Sequence, residues 1–314
     1  MTKGTIEISN LVKKFKDDFI AVDGISLHVN RGQCYAFLGP NGAGKTTAIK
    51  ILTTLSEPTS GLVKVSGFDV KKEPEKVRWE IGVVLQDTGL DQDLTGREIL
   101  ELQARLFHMT RKQAKERTSK LLEMVGLTKD ANRQIKKFSG GMRRRLDLAA
   151  TLVHEPTILF LDEPTTGLDP LNRKAIWNEI RRLNREEGVT VFLTTQYLEE
   201  ADELADYISI INRGKLVASG TADELKDSIG ADLITFEFAD DQIAGSAARM
   251  LKNSGGIEHQ GSRVTLTIQE ATKRLPMLME KLTRAGIQIN ELDISSPTLD
   301  DVFIRVTGEK EEGA

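Results

Sequence analysis

The chain has 314 residues, which suggests two domains at ~100–200 residues each. It is 39% hydrophobic and 29% charged with a formal net charge of −4, which argues against a nonspecific nucleic-acid binder, since that activity needs excess Lys and Arg to displace counterions. No apolar run approaches the ~18–20 residues of a bilayer span; the single cysteine, Cys34, excludes an internal disulfide, and four scattered histidines, His28, His108, His154 and His259, make no zinc cluster.

Met1-Thr2-Lys3-Gly4 leads straight into a strand pattern, so no secretory signal is expected. Thr5–Ser9 and Ile25–Val29 alternate polar and apolar residues and predict half-buried strands. Cys34–Leu38 is a short continuous apolar run, the pattern of a strand covered on both faces. A glycine-rich loop follows, then a helix whose Ile49, Leu52 and Leu55 lie one turn apart. Residues 62–70 read as a hairpin turning at Gly67, and 81–85 as a second buried strand ending on Gln86. Residues 95–150 read as helical. Thr95 and Glu98 have capping-box spacing, and Leu121, Leu122 and Val125 share a face closed by Gly126. Strands are expected at 157–161, 189–194 and 207–211, and strands alternating with helices predict an α/β fold with a mostly parallel sheet. From residue 231 the order changes to βαββαβ, a ferredoxin-like unit over 231–314, closed by a helix carrying Leu299, Val302, Phe303 and Val306. The acidic tail 308–314 is expected to fray.

Two stretches carry chemistry. Gly39-Pro40-Asn41-Gly42-Ala43-Gly44-Lys45-Thr46 fits G-x-x-x-x-G-K-[ST] between a buried strand and a helix. Its glycines let backbone N–H groups turn toward phosphate oxygens, Lys45 is placed for the β- and γ-phosphates, and Thr46 for Mg²⁺. Ile158–Leu161 is a buried strand ending in Asp162 and Glu163, at the sheet edge where α/β folds hold ligands. Asp162 is the expected Mg²⁺ anchor and Glu163 the residue that polarises the attacking water.

With these motifs the chain resembles the nucleotide-binding subunit of an ATP-binding cassette (ABC) transporter over about residues 5–230. Phe138-Ser139-Gly140-Gly141-Met142 resembles the family signature, Gln86 the Q-loop residue, Gly167-Leu168-Asp169 the D-loop, and Phe15 the aromatic that stacks on adenine. The narrower resemblance, carried by Phe138–Leu148, Thr194-Thr195-Gln196-Tyr197 and Pro297–Phe303, is to daunorubicin-resistance-type exporter ATPases. The resemblance implies a P-loop NTPase core with antiparallel and helical subdomains at 1–230 (the helical arm at about 87–150) and an accessory α+β domain at 231–314. It implies ATP and Mg²⁺ as ligands. The nucleotide would be held by Phe15, Gly39 to Thr46, Thr47 and Gln86, and the metal by Thr46, Gln86 and Asp162; Lys45, Glu163 and Gln196 would be catalytic. Ser139, Gly140, Gly141 and Met142 would act on the ATP of a second copy in a head-to-tail dimer. The implied partner is a separate ABC-2-type permease, docked by the helical arm at the cytoplasmic face of the membrane, and no nucleic acid is involved. Met142 stands where the family often has Gln, and Gln196 where most members have His; Gln can donate an N–H but cannot titrate near neutral pH. A soluble non-transport ABC ATPase is the alternative reading, and a P-loop kinase or GTPase a more distant one. Three further features read blandly: Arg143-Arg144-Arg145 as a solvated helix face, Cys34 as a small core residue beside the nucleotide, Trp79 and Trp177 as packing.

Overall fold

A computed structural model describes residues 4–86 and 89–308 and divides the chain into two compact units, at Ala222/Asp223. The division falls several residues ahead of the boundary at 230 expected from the pattern change.

The first unit opens with β1 (Ile6–Lys14), β2 (Ile20–Val29) and the buried β3 (Cys34–Leu38), followed by α1 (Lys45–Leu52), β4 (Ser60–Val65), β5 (Phe68–Asp69), α2 (Pro74–Glu80) and β6 (Ile81–Val84). β1 and β2 are longer than the alternation predicts. Asn10 has φ +49° and the β1–β2 register shifts between Ile8 and Leu11, so a bulge resets the period of two within the strand. The helix stops at Leu52 rather than running through Leu55, because Thr54 at φ +63° turns the chain and leaves Leu55 exposed. A helical region follows: α3 (Gly96–Leu106), α4 (Arg111–Met124) and α5 (Gly140–Thr151). Thr95 and Glu98 make the expected capping box at α3, and Thr110 and Gln113 repeat it at α4. The core then resumes with β7 (Ile158–Asp162), α6 (Pro170–Arg185), β8 (Thr190–Thr195), α7 (Leu198–Leu204), β9 (Tyr207–Asn212) and β10 (Lys215–Gly220), and the point of division falls at the start of α8 (Ala222–Asp227).

Two sheets result. One is antiparallel, in the order β2-β1-β4-β5; the other runs β10-β9-β3-β8-β7-β6 and is parallel except at β10–β9. Apolar side chains of both sheets, including Ile6, Val22, Val63, Phe37, Phe160 and Phe192, share one buried cluster with Ile49 and Leu52 of α1. The register sets where the chain leaves the parallel sheet: Leu38 pairs with Thr195, Asp162 with Thr194, and Val84 with Leu161. Four segments, those beginning at Gly39, Leu85, Glu163 and Gln196, therefore emerge along one sheet edge at the C-terminal strand ends.

The second unit contains β11 (Asp232–Glu237), α9 (Asp241–Leu251), β12 (Gly256–Gln260), β13 (Arg263–Ile268), α10 (Ala271–Arg284), β14 (Glu291–Ser295) and α11 (Leu299–Thr307). The strands order as β12-β13-β11-β14, all antiparallel, which is the ferredoxin-like arrangement that the βαββαβ pattern predicts. Ile234, Phe236, Val264 and Leu266 pack against Ala244, Ala247 and Leu251 of α9 and Leu278 and Leu282 of α10. β14 begins at Glu291, because the ladder starts where Glu237, the last residue of β11, meets Glu291. Leu299, Val302 and Phe303 of α11 are buried and Val306 is half-buried; Arg305 Nη1 donates to the Ile229 carbonyl at 2.8 Å. Residues 309–314 of the expected acidic tail lie outside the described residues.

Candidate nucleotide site

The loop between β3 and α1 is shaped by close backbone approach. A Cβ on Gly39 would lie 2.4 Å from the Ile211 carbonyl oxygen, and one on Gly44, at φ +112°, 2.3 Å from that of Ala21, so neither position accepts a side chain. Lys45, the first residue of α1, is buried, and its Nζ donates to the Gly39 and Pro40 carbonyls at 2.6 and 3.1 Å. Burial pulls its pKa below the usual lysine value, while the nearby Glu163 and Asp162 carboxylates oppose that shift.

The end of β7 meets this loop. Glu163 Oε1 lies 3.7 Å from Lys45 Nζ, and both side chains are buried. Thr46 Oγ1 donates to Asp162 Oδ1 at 3.4 Å, and Thr194 Oγ1 donates to the same oxygen at 2.5 Å. Glu163 has φ +49°, a left-handed conformation that costs a non-glycine residue about 1–3 kcal/mol and persists only where the surroundings fix it. Its N–H donates to the Thr194 carbonyl at 3.0 Å, and Thr166 Oγ1 donates to its Oε2 at 3.3 Å. Lys45, Thr46, Asp162 and Glu163, from two separate stretches of sequence, thus converge on one point.

The other expected residues surround it. Gln196 follows the end of β8 and is half-buried; Gln86 follows Leu85 beyond β6 and is exposed. Among the described residues no hydrogen bond ties either amide side chain to the converging four. Phe15 is half-exposed, with Lys13 Nζ 5.1 Å from its ring centroid, and its N–H donates to the Phe19 carbonyl just before β2, the strand whose Ala21 abuts Gly44. Ser139 caps α5, its Oγ accepting from the Met142 N–H at 3.2 Å. Asp169 caps α6, accepting from the Asn172 N–H at 3.0 Å and from Asn172 Nδ2 at 2.6 Å. A Cβ on Gly141 would lie 2.4 Å from Asn172 Oδ1, so the signature glycine packs directly on the D-loop cap.

Several side chains around the site depart from, or were missed by, the sequence reading. Arg144 is not on a solvated face: it is buried and donates to backbone carbonyls of Leu85, Asp162, Glu163 and Pro164. Arg145 donates to the Val125 carbonyl at 2.9 Å. The periodicity held a signal for this, since Arg144 shares a helix face with buried Gly141 and Leu148. Cys34 is buried as expected but stands at the end of β3 opposite the phosphate loop, where its N–H donates to Asp206 Oδ2. Trp79 is half-exposed, edge-on to Phe107, whereas Trp177 is buried and its Nε1 donates to Glu200 Oε1 at 2.9 Å. Glu200 is a buried carboxylate that also accepts from Thr165 Oγ1 at 2.9 Å; burial pushes its pKa up.

Comparison with known proteins identifies the family. Residues 22–166 match the ABC transporter family, and residues 220–307 match the family described as ATP-binding protein DrrA1-3-like, C-terminal domain. The chain is 43% identical to the daunorubicin resistance ATP-binding protein DrrA3 of Streptomyces coeruleorubidus, over 98% of each chain. It is also 43% identical to the daunorubicin/doxorubicin resistance ATP-binding protein DrrA of Streptomyces peucetius, over 96% of this chain and 92% of that protein. Among solved structures it resembles the dimeric post-hydrolysis state of the ATP-binding cassette MJ0796 bound to ADP and Pi, with a TM-score of 0.64 and 27% identity over 69% of this chain and 98% of that one. A phosphate loop joined to a paired acidic strand end, in a chain alike to such proteins from end to end, has one reading: the chain belongs to the ATP-binding proteins of ABC transporters and is the ATP-binding, ATP-hydrolysing subunit of one.

Proposed function

We propose that this chain powers a separate ABC-2-type membrane permease that exports an amphiphilic, drug-like or lipid substrate. The observation that carries the site chemistry is the convergence of Lys45, Thr46, Asp162 and Glu163 at the C-terminal edge of the parallel sheet. In this reading Gly39 to Thr47 wrap the phosphates with backbone N–H groups, Lys45 neutralises the β- and γ-phosphates, and Phe15 stacks on the base. Thr46, Asp162 and Gln86 offer only hard oxygen donors, and the Thr46 hydroxyl already faces the Asp162 carboxylate at 3.4 Å, an arrangement that suits Mg²⁺. Bound there, the ion offsets phosphate charge. Glu163 orients and polarises the attacking water, and Gln196 donates an N–H to the γ-phosphate.

Ser139 and the Gly140 and Gly141 amides form a second anion site at the N-terminus of α5. As in the ATP-binding cassettes this chain resembles, one of which is solved as a dimer, they act on the ATP of a second copy, in a head-to-tail dimer that ATP holds closed. The D-loop cap at Asp169 lies beside that signature, with Asn172 between the two. No helix among the described residues is long and apolar enough to cross a membrane. In this reading the chain is a peripheral subunit at the cytoplasmic face of the membrane, its helical arm docking the permease. Export is supported by likeness across nearly the whole chain to two proteins named for daunorubicin resistance. Purification of the chain from native membranes tests the reading. An integral membrane protein of the permease type should co-purify in fixed ratio, and its absence from active ATPase would favour a non-transport ABC ATPase.

A further inference from the structure

Arg144 makes a set of contacts that a solvated or merely packed arginine does not need. Its Nε donates to the Pro164 carbonyl at 2.7 Å, its Nη1 to the Leu85 carbonyl at 2.5 Å, and its Nη2 to the Asp162 and Glu163 carbonyls, both at 3.1 Å. The Asp147 carboxylate stands 3.7 Å away on the same helix. All three nitrogens of the planar guanidinium are thus engaged, and a lysine, with one ammonium, cannot span the same carbonyls.

Where these carbonyls lie is the point. Three of them belong to Asp162, Glu163 and Pro164, so the peptides on both sides of Glu163 are held from one side by Arg144. From the other side the Glu163 N–H is held by the Thr194 carbonyl. This accounts for how Glu163 keeps φ +49°. The fourth carbonyl belongs to Leu85, whose peptide carries Gln86. One side chain, on the helix that Ser139 caps, therefore fixes the backbone under both Gln86 and Glu163.

We infer that Arg144 is a positioning residue for ATP hydrolysis: it sets the orientation of the Glu163 carboxylate and couples it to the Gln86 segment and the signature helix. The inference rests on Glu163 being the water-orienting residue, and its consequence is specific. Arg144 meets this site only through backbone carbonyls, that of Asp162 among them, and touches no side chain proposed to meet the nucleotide, so its loss acts on turnover far more than on ATP binding.

The test uses the full chain with Arg144→Lys, Arg144→Gln, Glu163→Gln and the Arg144→Lys/Glu163→Gln double variant. Steady-state turnover, KM and the affinity for a fluorescent ATP analogue are measured for each. Arg144→Lys keeps the charge opposite Asp147 and carries the test even where Arg144→Gln does not fold. The expected result is a fall in kcat of about 10- to 100-fold, the scale for a misplaced catalytic group, with nucleotide affinity changed less than about threefold. The double variant should be no slower than Glu163→Gln alone, because residues acting through one group are not additive. Wild-type kcat in Arg144→Lys would overturn the inference. So would a parallel loss of nucleotide affinity, which marks a purely structural residue, and so would additive losses in the double variant. Wild-type turnover in Glu163→Gln would instead remove the reading on which the inference rests, so the two failures are distinct.

Discussion

Asp147 shows how one buried side chain carries a pH signature. It is buried, and desolvation pushes its carboxyl from an ordinary 3.8 up to about 6, while Arg144 pulls the other way. The folded state thus binds this proton more tightly than the unfolded chain does. The stability it contributes is fully present below the ordinary carboxyl pKa and is lost as pH rises through about 6. Asp147→Asn mimics the protonated form, so it should match the wild-type protein near pH 4 and exceed it by on the order of 2 kcal/mol at pH 8. Urea unfolding at several pH values checks this, and a gap independent of pH would contradict it. Gln196 has no proton to exchange near neutrality, so its contribution is a donated N–H. Gln196→Ala should lower kcat by about 10- to 10³-fold, the cost of one donor to developing charge, whereas Gln196→His should retain substantial activity; full activity in the alanine variant would show that the side chain does not touch phosphate. The residues that converge at the site, Lys45, Thr46, Asp162 and Glu163, are legible in the sequence because phosphate binding demands those types at fixed spacing. Arg144 is not, because it sits inside a run of three arginines whose bland reading is usually correct. Only the helix face it shares with Gly141 and Leu148 marks it, and its partners are backbone carbonyls that no residue pattern encodes.

At the scale of elements, legibility follows whether one local rule governs the whole segment. The apolar stripe of α11 and the capping box of α3 appear where the spacing puts them. The extents of β1 and α1 do not, because Asn10 and Thr54 adopt positive φ and break a period that the flanking residues keep. The α11 stripe supports a stability prediction. Phe303 is nearly fully buried, and Phe303→Ala should destabilise the second unit by about 3 kcal/mol, the usual cost of emptying a buried aromatic site. ATP affinity should be unchanged, since the converging site residues all belong to the first unit. Calorimetry with and without ATP separates these effects. An unaltered unfolding profile would show that the stripe adds nothing to stability.

For the molecule as a whole, the alternation of strands and helices followed by βαββαβ was enough to identify both architectures, the parallel sheet of the first unit and the β12-β13-β11-β14 sheet of the second. The point of division was less legible, because α8 and the strands on either side of it form an unbroken series of regular elements with no composition shift between them. The strand register accounts for the rest: by ending β3, β6, β7 and β8 along one edge it brings the phosphate loop, the Gln86 segment, Glu163 and Gln196 together. The central claim is that this edge hydrolyses ATP with Glu163 orienting the water, and Glu163→Gln in the full chain tests it most directly, since it removes the carboxylate and keeps the shape. ATP turnover should fall by about 10²-fold or more, the scale for losing a general base, while ATP still binds and an ATP-held dimer accumulates on gel filtration; turnover at the wild-type rate would contradict the account.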